Sequence, residues 1–436
     1  MASQAFSSQT SLSLEGHFFT RAAVDLKEEN PYEDEGLDHE FFLLESRFFL
    51  SDRLSGHLGL KIDRLAFHNG GYHREETTPL LWETYLRFEG DNCELTIGNQ
   101  IIRWGKADEI SVLDNLSRQD LRELFTLRAP ERRRPWPWLR FRYFASSYTL
   151  ETVFTLFPLT PRRHYFDSDW AVFDHLRREL AQSPFAHLIT LNLDRQKLVP
   201  SLRNAEFGLR VEKTWGDFDL AFSFLHAHNR SFYLFVKSFP VGGFVLKHPA
   251  DPLQDLLEQW PHLQILSNRI ETRVPQDNIL GFSLETTYRG AGLRAELAYH
   301  TSRVFLKEDL TSVRKPYLRA IVGFDYRFEG GLYLNLQFLS QRILNYSHDI
   351  LFDPKLDSYF FLRLSKGFLR DFLTLRADTV YGVTTRSYYL NPEIAYKIKD
   401  TVEVFLGLHL IDGPRGTFFD PYDHNDQIYF GTRIDF

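Results

Sequence analysis

Cysteine and methionine are almost missing from this chain of 436 residues, which holds one of each, Cys93 and Met1. A single cysteine excludes an intrachain disulfide, a cysteine-built zinc site, a CxxC redox pair and a c-type haem site. Long apolar runs are missing as well. No stretch approaches the roughly 18 consecutive apolar residues of a membrane-spanning helix, and the mean hydropathy is −0.31. The formal net charge is −7 with no long basic run, which argues against a nucleic-acid binder. The 16 histidines are scattered, without HExxH or paired metal spacing, and there is no Gly-rich phosphate loop. What is plentiful is aromatic: Phe 40, Tyr 20 and Trp 7, or 15% of the chain.

Alternation reconciles that aromatic excess with the low hydropathy. In the last ten residues Ile428, Phe430, Thr432, Ile434 and Phe436 share one face, and Tyr429, Gly431, Arg433 and Asp435 the other. Successive side chains of a strand point to opposite faces, so period two means one apolar and one polar surface. The pattern returns in Leu293–Thr301, Leu332–Gln341, Phe372–Val383 and Val402–Ile411. About 18 such segments occur, each near the ~10 residues a tilted strand needs to cross a bilayer. They start near 11, 40, 54, 79, 93, 138, 148, 205, 218, 279, 293, 317, 331, 357, 372, 387, 402 and 427.

Short connections such as Ser51–Arg53, Glu89–Asn92 and Gly216–Asp217 alternate with long ones near 27–39, 70–78, 105–136, 158–204, 229–278, 304–316, 343–356 and 412–426. Short turns at one end and long loops at the other predict a transmembrane antiparallel up-and-down β-barrel of about 16–18 strands, with short helices in the long loops. The barrel is a single domain over 1–436, and an even strand count leaves both termini on the short-turn side. Tyr and Trp then mark the two interfaces, while Phe and Leu face lipid. A soluble β-sandwich also alternates, but it rarely needs so many strands of one length. A solenoid would show a fixed repeat, which is absent. The N-terminus has neither a basic stretch nor an apolar core of export-signal type, so the chain reads as a mature form with Met1 added. Phe436, closing an alternating strand, looks like the signal read by bacterial barrel-insertion machinery. The expected location is the bacterial outer membrane, in contact with its lipid and lipopolysaccharide.

The stretch 80–142 is the most informative. Leu80, Trp82, Thr84, Leu86 and Phe88 are expected to face lipid, and Glu83, Tyr85 and Arg87 the lumen. On the next strand Leu95, Ile97 and Ile101 point outward, and Glu94, Thr96, Gly98 and Gln100 inward. Gly98 suits close lumenal packing or a bend. The run Gly98-Asn99-Gln100-Ile101-Ile102-Arg103-Trp104-Gly105-Lys106 resembles the G-R-Q-x-x-x-W-G-E signature of a proteobacterial outer-membrane barrel family of unknown function. Asn99 stands where that signature has Arg, and Lys106 where it has an acid. The resemblance implies a transport role, beside lipid or hydrophobic-compound export systems. The motif itself reads either as a ligand contact or as a structural bend from strand to loop.

Within 105–136, Ser117 is a candidate helix N-cap with Asp120 three residues on and Leu121, Leu124 and Phe125 as an apolar face. Arg128, Arg132, Arg133 and Arg134 follow, and Arg140 and Arg142 lie on an inward-facing strand. Folded into the lumen, this loop narrows it and its like charges set ion preference. Left outside, it is a solvated loop whose arginines meet lipopolysaccharide phosphates. Two more helix signals, Asp167–Gln182 and a second opened by Asp251-Pro252, read first as packing devices. Inward charges of both signs, Glu15, Arg21, Asp25, Glu45, Arg47, Lys61, Asp63, Arg210, Glu212, Arg294, Glu296, Arg319, Asp325, Arg327, Arg376, Asp378, Arg433 and Asp435, predict cross-strand ion-pair ladders. Catalysis has only His300-Thr301-Ser302 to rest on, and a cation site only the acidic Asp420–Asp426 loop. The sequence therefore reads as a non-enzymatic channel or porin-like protein without cofactor or metal, its substrate path or constriction formed by the arginines above with Glu83, Arg87 and Glu94. Two readings stand beside it: transport of hydrophobic compounds or lipid within an export system, and a barrel that docks or sheathes a partner such as a cytochrome.

Overall fold

A computed structural model gives the architecture. It describes residues 12–436 apart from 28–34, 70–71, 125, most of 172–191, 231–234, 239–240, 249–251, 266–268 and 415–416. Eighteen strands form one antiparallel sheet that closes on itself. In chain order they are β1 (Leu12–Asp25), β2 (Gly36–Ser51), β3 (Leu54–Asn69), β4 (Tyr72–Glu89), β5 (Cys93–Gln100), β6 (Trp136–Phe144), β7 (Thr149–Thr155), β8 (Glu206–Trp215) and β9 (Phe218–His228), followed by β10 (Gln276–Tyr288), β11 (Ala291–Leu306), β12 (Ser312–Arg327), β13 (Tyr333–Ile343), β14 (Leu356–Phe368), β15 (Leu373–Gly382), β16 (Tyr388–Lys399), β17 (Val402–Asp412) and β18 (Gln427–Asp435). Each pairs with the next, and β1 closes the ring on β18 from His17↔Asp435 to Asp25↔Gln427. Closure gives every strand a partner on both sides, so the backbone of the ring is satisfied internally, as a bilayer requires, except along β4 before Thr84, where β5 does not reach. The start of β1 and the end of the chain meet at the short-turn end, where Gly16 and Phe436 exchange backbone hydrogen bonds of 2.8 and 2.9 Å.

The expected strands and the observed ones correspond one to one, and the count is 18. The outer face is a belt of exposed apolar side chains, among them Leu60, Ile62, Ile97, Phe222, Leu280 and Phe430. A surface of that kind needs lipid against it. Two expectations fail locally. The connection placed at 70–78 is strand, because β3 and β4 run on as a tall hairpin with Asp63 opposite Thr78 and Arg64 opposite Thr77. Leu80 and Trp82 do not face lipid: Leu81 is 58% exposed and Trp82 only 8%. Leu58 pairs with Thr84 but Leu60 with Leu81, so β4 carries one extra residue at 82–83. That bulge turns the phase of the alternation, and Glu83, Tyr85 and Arg87 still point inward.

The wall is not of one height. β5, β6 and β7 have 8, 9 and 7 residues, whereas β4 has 18. The ladder between β4 and β5 covers only Thr84–Glu89. After Gln100 the chain leaves the wall and enters the barrel. The exposed flank of β4 is met by the segment after β7, where Arg162 pairs with Glu76 and Arg74 donates to the Phe166 carbonyl at 3.0 Å.

No helix forms over Ser117–Leu124, the described part of that signal. Phe125 lies outside the described residues, Leu124 has φ +51°, and the Ser117 hydroxyl donates to the Ile102 carbonyl at 3.0 Å instead of capping. Local cap chemistry loses there to burial inside the barrel. Among the described residues of this loop, helix is found at α1 (Ala129–Arg132) alone. The signal opened by Asp251-Pro252 yields α2 (Pro252–Gln259). Most of the helix expected over Asp167–Gln182 lies outside the described residues, although Trp170 is buried against Tyr422.

Candidate functional site in the barrel lumen

The loop between β5 and β6 folds into the barrel. Its first half is apolar where the motif sits. Ile102, Trp104, Ala107, Val112, Leu113 and Leu116 form a buried cluster with the inward residues Trp138, Val153, Leu225, Ile279, Ala298, Ile321 and Leu339. The lumen is thus polar on one side and a packed core on the other. The motif residues build that core. Gly98 sits at φ +132°, open to glycine alone, and a Cβ there would run into the Thr84 carbonyl. Gln100 donates to the Trp138 carbonyl at 2.9 Å. Trp104 donates to Glu151 at 2.6 Å and covers Gly208, whose missing side chain makes room for it. Gly105 leaves space for Ser111 and Glu296 to approach.

Glu296 on β11 is the principal tie. Its two oxygens accept from Ala107 N at 2.7 Å, Ser111 Oγ at 2.8 Å and Val112 N at 2.9 Å. Further round the wall, Lys106 lies 3.7 Å from Glu212 and 3.5 Å from Glu285, and Asp108 accepts from Arg294 at 2.8 Å and Asn335 at 2.7 Å. Ile110 N donates to Gln337 at 3.0 Å, and Glu109 pairs with Arg363. On the opposite wall Glu123 pairs with Arg21 and lies 2.6 Å from His39 Nδ1. Arg122 reaches Asp63 at 2.5 Å. The loop is anchored to strands all round the ring.

The arginines singled out from sequence are all on or beside this loop, but they divide. Arg133 donates to Asp114 at 2.8 Å, and Arg134 donates to Asp120 at 2.7 Å and lies 3.1 Å from Asp63. Burial alone raises the Asp120 carboxyl, yet Arg134 and Arg122 hold it well below the usual carboxylate range. Arg140 and Arg142 point inward, but each meets a cross-strand carboxylate: Arg140 with Glu151 at 2.6 Å, Arg142 with Glu94. Arg87 lies 3.9 Å from the same Glu94. Glu83 accepts from Ile101 N at 2.9 Å and so fixes the point where the chain leaves the wall. Arg128 and Arg132 instead line a cavity of about 410 Å³ between the loop and β11–β16. Arg128 is matched by Glu393.

The rest of that cavity was not visible as a unit in the sequence. Arg303, Tyr317, Arg319, Gln341, Tyr359 and Arg363 come to it from four strands, and Phe352 and Asp353 from the loop before β14. Only the inward phase of each strand could have flagged them. Burial, against the pull of Arg303 and with help from Asp357, pushes the Asp353 carboxyl up to about 6. Elsewhere, His300 faces Asp277 at 2.9 Å, and the Ser302 hydroxyl accepts from Arg314 at 3.5 Å. In the 420–426 loop, Asp426 pairs with Lys27 at 3.0 Å, and among the described residues no three metal-ligating side chains cluster. Phe436 is 63% exposed on the outer face, its ring lying across Gly16 and stacked toward Phe42 at 6.0 Å.

The fold and site define a closed 18-stranded barrel narrowed by its own inward loop. No protein-family model matches the chain. No curated protein matches it either. Solved structures similar to it include OmpF of Salmonella typhi in complex with daunomycin, at 10% identity, covering 98% of each chain, TM-score 0.46. A triple mutant of Rhodopseudomonas blastica porin is similar at 11% identity, covering 98% of this chain and 100% of that one, TM-score 0.42. The outer membrane protein OmpT of Vibrio cholerae, with loop L8 deleted, is similar at 9% identity, covering 98% and 99%, TM-score 0.42.

Proposed function

We propose that the chain is an outer-membrane channel in which small solutes pass between the inward loop and the β11–β16 wall. One observation carries this reading. The loop crosses the lumen on fixed ion pairs, yet leaves a space of about 410 Å³ lined by charged and phenolic side chains. A stiff loop with residual polar space is what constricts a passage without sealing it. Phe436 serves as the insertion signal, and lipid and lipopolysaccharide surround the belt. Purified protein in planar bilayers should give discrete conductance steps with anion preference. Arg128→Gln with Arg132→Gln should lower that preference. A barrel that inserts but gives no steps overturns the reading.

Transport of hydrophobic compounds is favoured by a different feature. On the outer face of β6–β9, Leu139, Phe141, Phe154, Phe207, Leu209 and Phe224 frame an apolar groove of about 430 Å³. That reading expects uptake of an uncharged apolar probe into vesicles holding the protein, abolished by Phe207→Glu. Uptake equal to protein-free vesicles overturns it.

A further inference from the structure

We propose that the cavity between the loop and the β11–β16 wall binds an amphiphilic monocarboxylate, an acid carrying an aromatic ring or a short acyl chain, with its carboxylate between Arg132 and Arg319. The proposal rests on the channel reading and names the solute for it. The volume of about 410 Å³ is within the ~300–1,000 Å³ usual for small-molecule sites.

The charges select one acid group. Of the five lining arginines, Arg363 is matched by Glu109 and Asp378, and Arg128 by Glu393. The lining as a whole holds five guanidiniums against four carboxylates, Glu109, Asp353, Asp357 and Asp378, and Glu393 behind Arg128 is offset by Arg376, which leaves an excess of one positive charge. Arg319 Nε donates to Gln341 Oε1 at 3.0 Å, and the Tyr317 hydroxyl donates to the same oxygen at 2.8 Å. The guanidinium is therefore held in place by neutral partners. No ion pair forms to Arg132 or Arg319 among the described residues, and Arg132 Nε is shut off from water without a hydrogen bond. Half-buried guanidiniums of this kind are poised for a carboxylate. A divalent anion would also meet Asp353 and Asp357, which oppose a second negative charge.

The remaining surface selects an apolar body. Leu127, Leu339, Phe352, Phe361, Phe418 and Phe419 line the same cavity. An uncharged compound would fill that part but leave both arginines unmatched, and a small inorganic anion would meet the arginines but leave the rings uncovered.

Titration calorimetry on the detergent-solubilised full chain tests the site with 4-phenylbutyrate, 4-phenylbutanol and inorganic phosphate. The acid should bind best, with the alcohol and phosphate weaker by about tenfold or more, the loss of a charge-assisted hydrogen bond. Arg132→Gln and Arg319→Gln should each weaken the acid by a similar factor, and Arg53→Gln on an outside turn should not. Heat-modifiable migration on gels reports the fold of each variant. Should Arg319→Gln not assemble, Arg132→Gln carries the test. Acid and alcohol binding alike, phosphate binding as tightly as the acid, or an affinity indifferent to both arginines overturns the proposal. The same acid added to bilayers should block the chloride current reversibly. Chloride steps without acid binding sink the site and leave the channel standing. Arginine-dependent binding without any current sinks the channel and leaves the site.

Discussion

Asp353 shows how one half-buried carboxyl can set the behaviour of the lumen. Its Oδ2 has no hydrogen bond, and burial, opposed by Arg303 and aided by Asp357, pushes the group up to about 6. It is therefore neutral at pH 5 and charged at pH 7. Protonation removes a negative charge from a space lined by five arginines, so anion preference in bilayers should be stronger at pH 5 than at pH 7. Asp353→Asn should hold the pH 5 behaviour at both pH values. A preference in the variant that still moves between them would disprove the assignment. Gly98 is the other residue whose chemistry is fixed by place. At φ +132° and against the Thr84 carbonyl, it admits no side chain. Gly98→Ala should cost about 1–3 kcal/mol, read as a lower temperature for loss of the compact gel form.

At the scale of elements, the β5–β6 loop is held by a few carboxylates more than by its own secondary structure. Glu296 alone accepts from three backbone amides and one hydroxyl of the loop. Glu296→Gln leaves a neutral amide whose nitrogen faces donors. The loop should loosen by roughly 2 kcal/mol, the worth of charge-assisted bonds in a buried setting. Conductance should rise and limited proteolysis should cut within 107–116, while the barrel's own thermal transition shifts little, because the ring ladders stay intact. Equal protection of the loop in the variant and the wild type would show that the other ties suffice. The helix expected at Ser117 belongs to this scale too. Its cap residue serves the Ile102 carbonyl because the segment is packed inside a barrel, an environment that local spacing does not encode.

For the whole molecule, closure joins the first strand to the last, and Phe436 sits at the seam with its ring outside. Such an exposed ring adds little to the finished barrel but is available to a recognition partner during assembly. Phe436→Ala should lower the yield of assembled protein in outer membranes and leave the melting of what does assemble nearly unchanged. A large loss of melting temperature would instead make the ring a structural wedge over Gly16. The uneven wall is a second property of the whole. With β5–β7 at 8, 9 and 7 residues, the barrel has a low side through which the loop enters.

Period-two alternation by itself determined the strands, their number to within 16–18, the inner and outer faces, and the end of the barrel that carries the short turns; ring closure decided that the number is 18. A membrane barrel imposes the same two environments, lipid and lumen, on every strand, and each residue records which one it meets. Alternation failed at Trp82, since a bulge adds one residue and reverses the phase without a mark in composition. The tertiary structure alone decided where the inward charges find partners. Arg132, Arg134 and Arg140 read alike in the sequence, yet one lines a cavity, one is locked to Asp120 and one to Glu151. Those fates depend on a loop crossing the lumen to strands as much as 300 residues away in the chain, such as Arg433 beside Glu131 at 3.5 Å. Ion pairing is a property of distance in space, and periodicity carries no distance beyond the neighbouring strand.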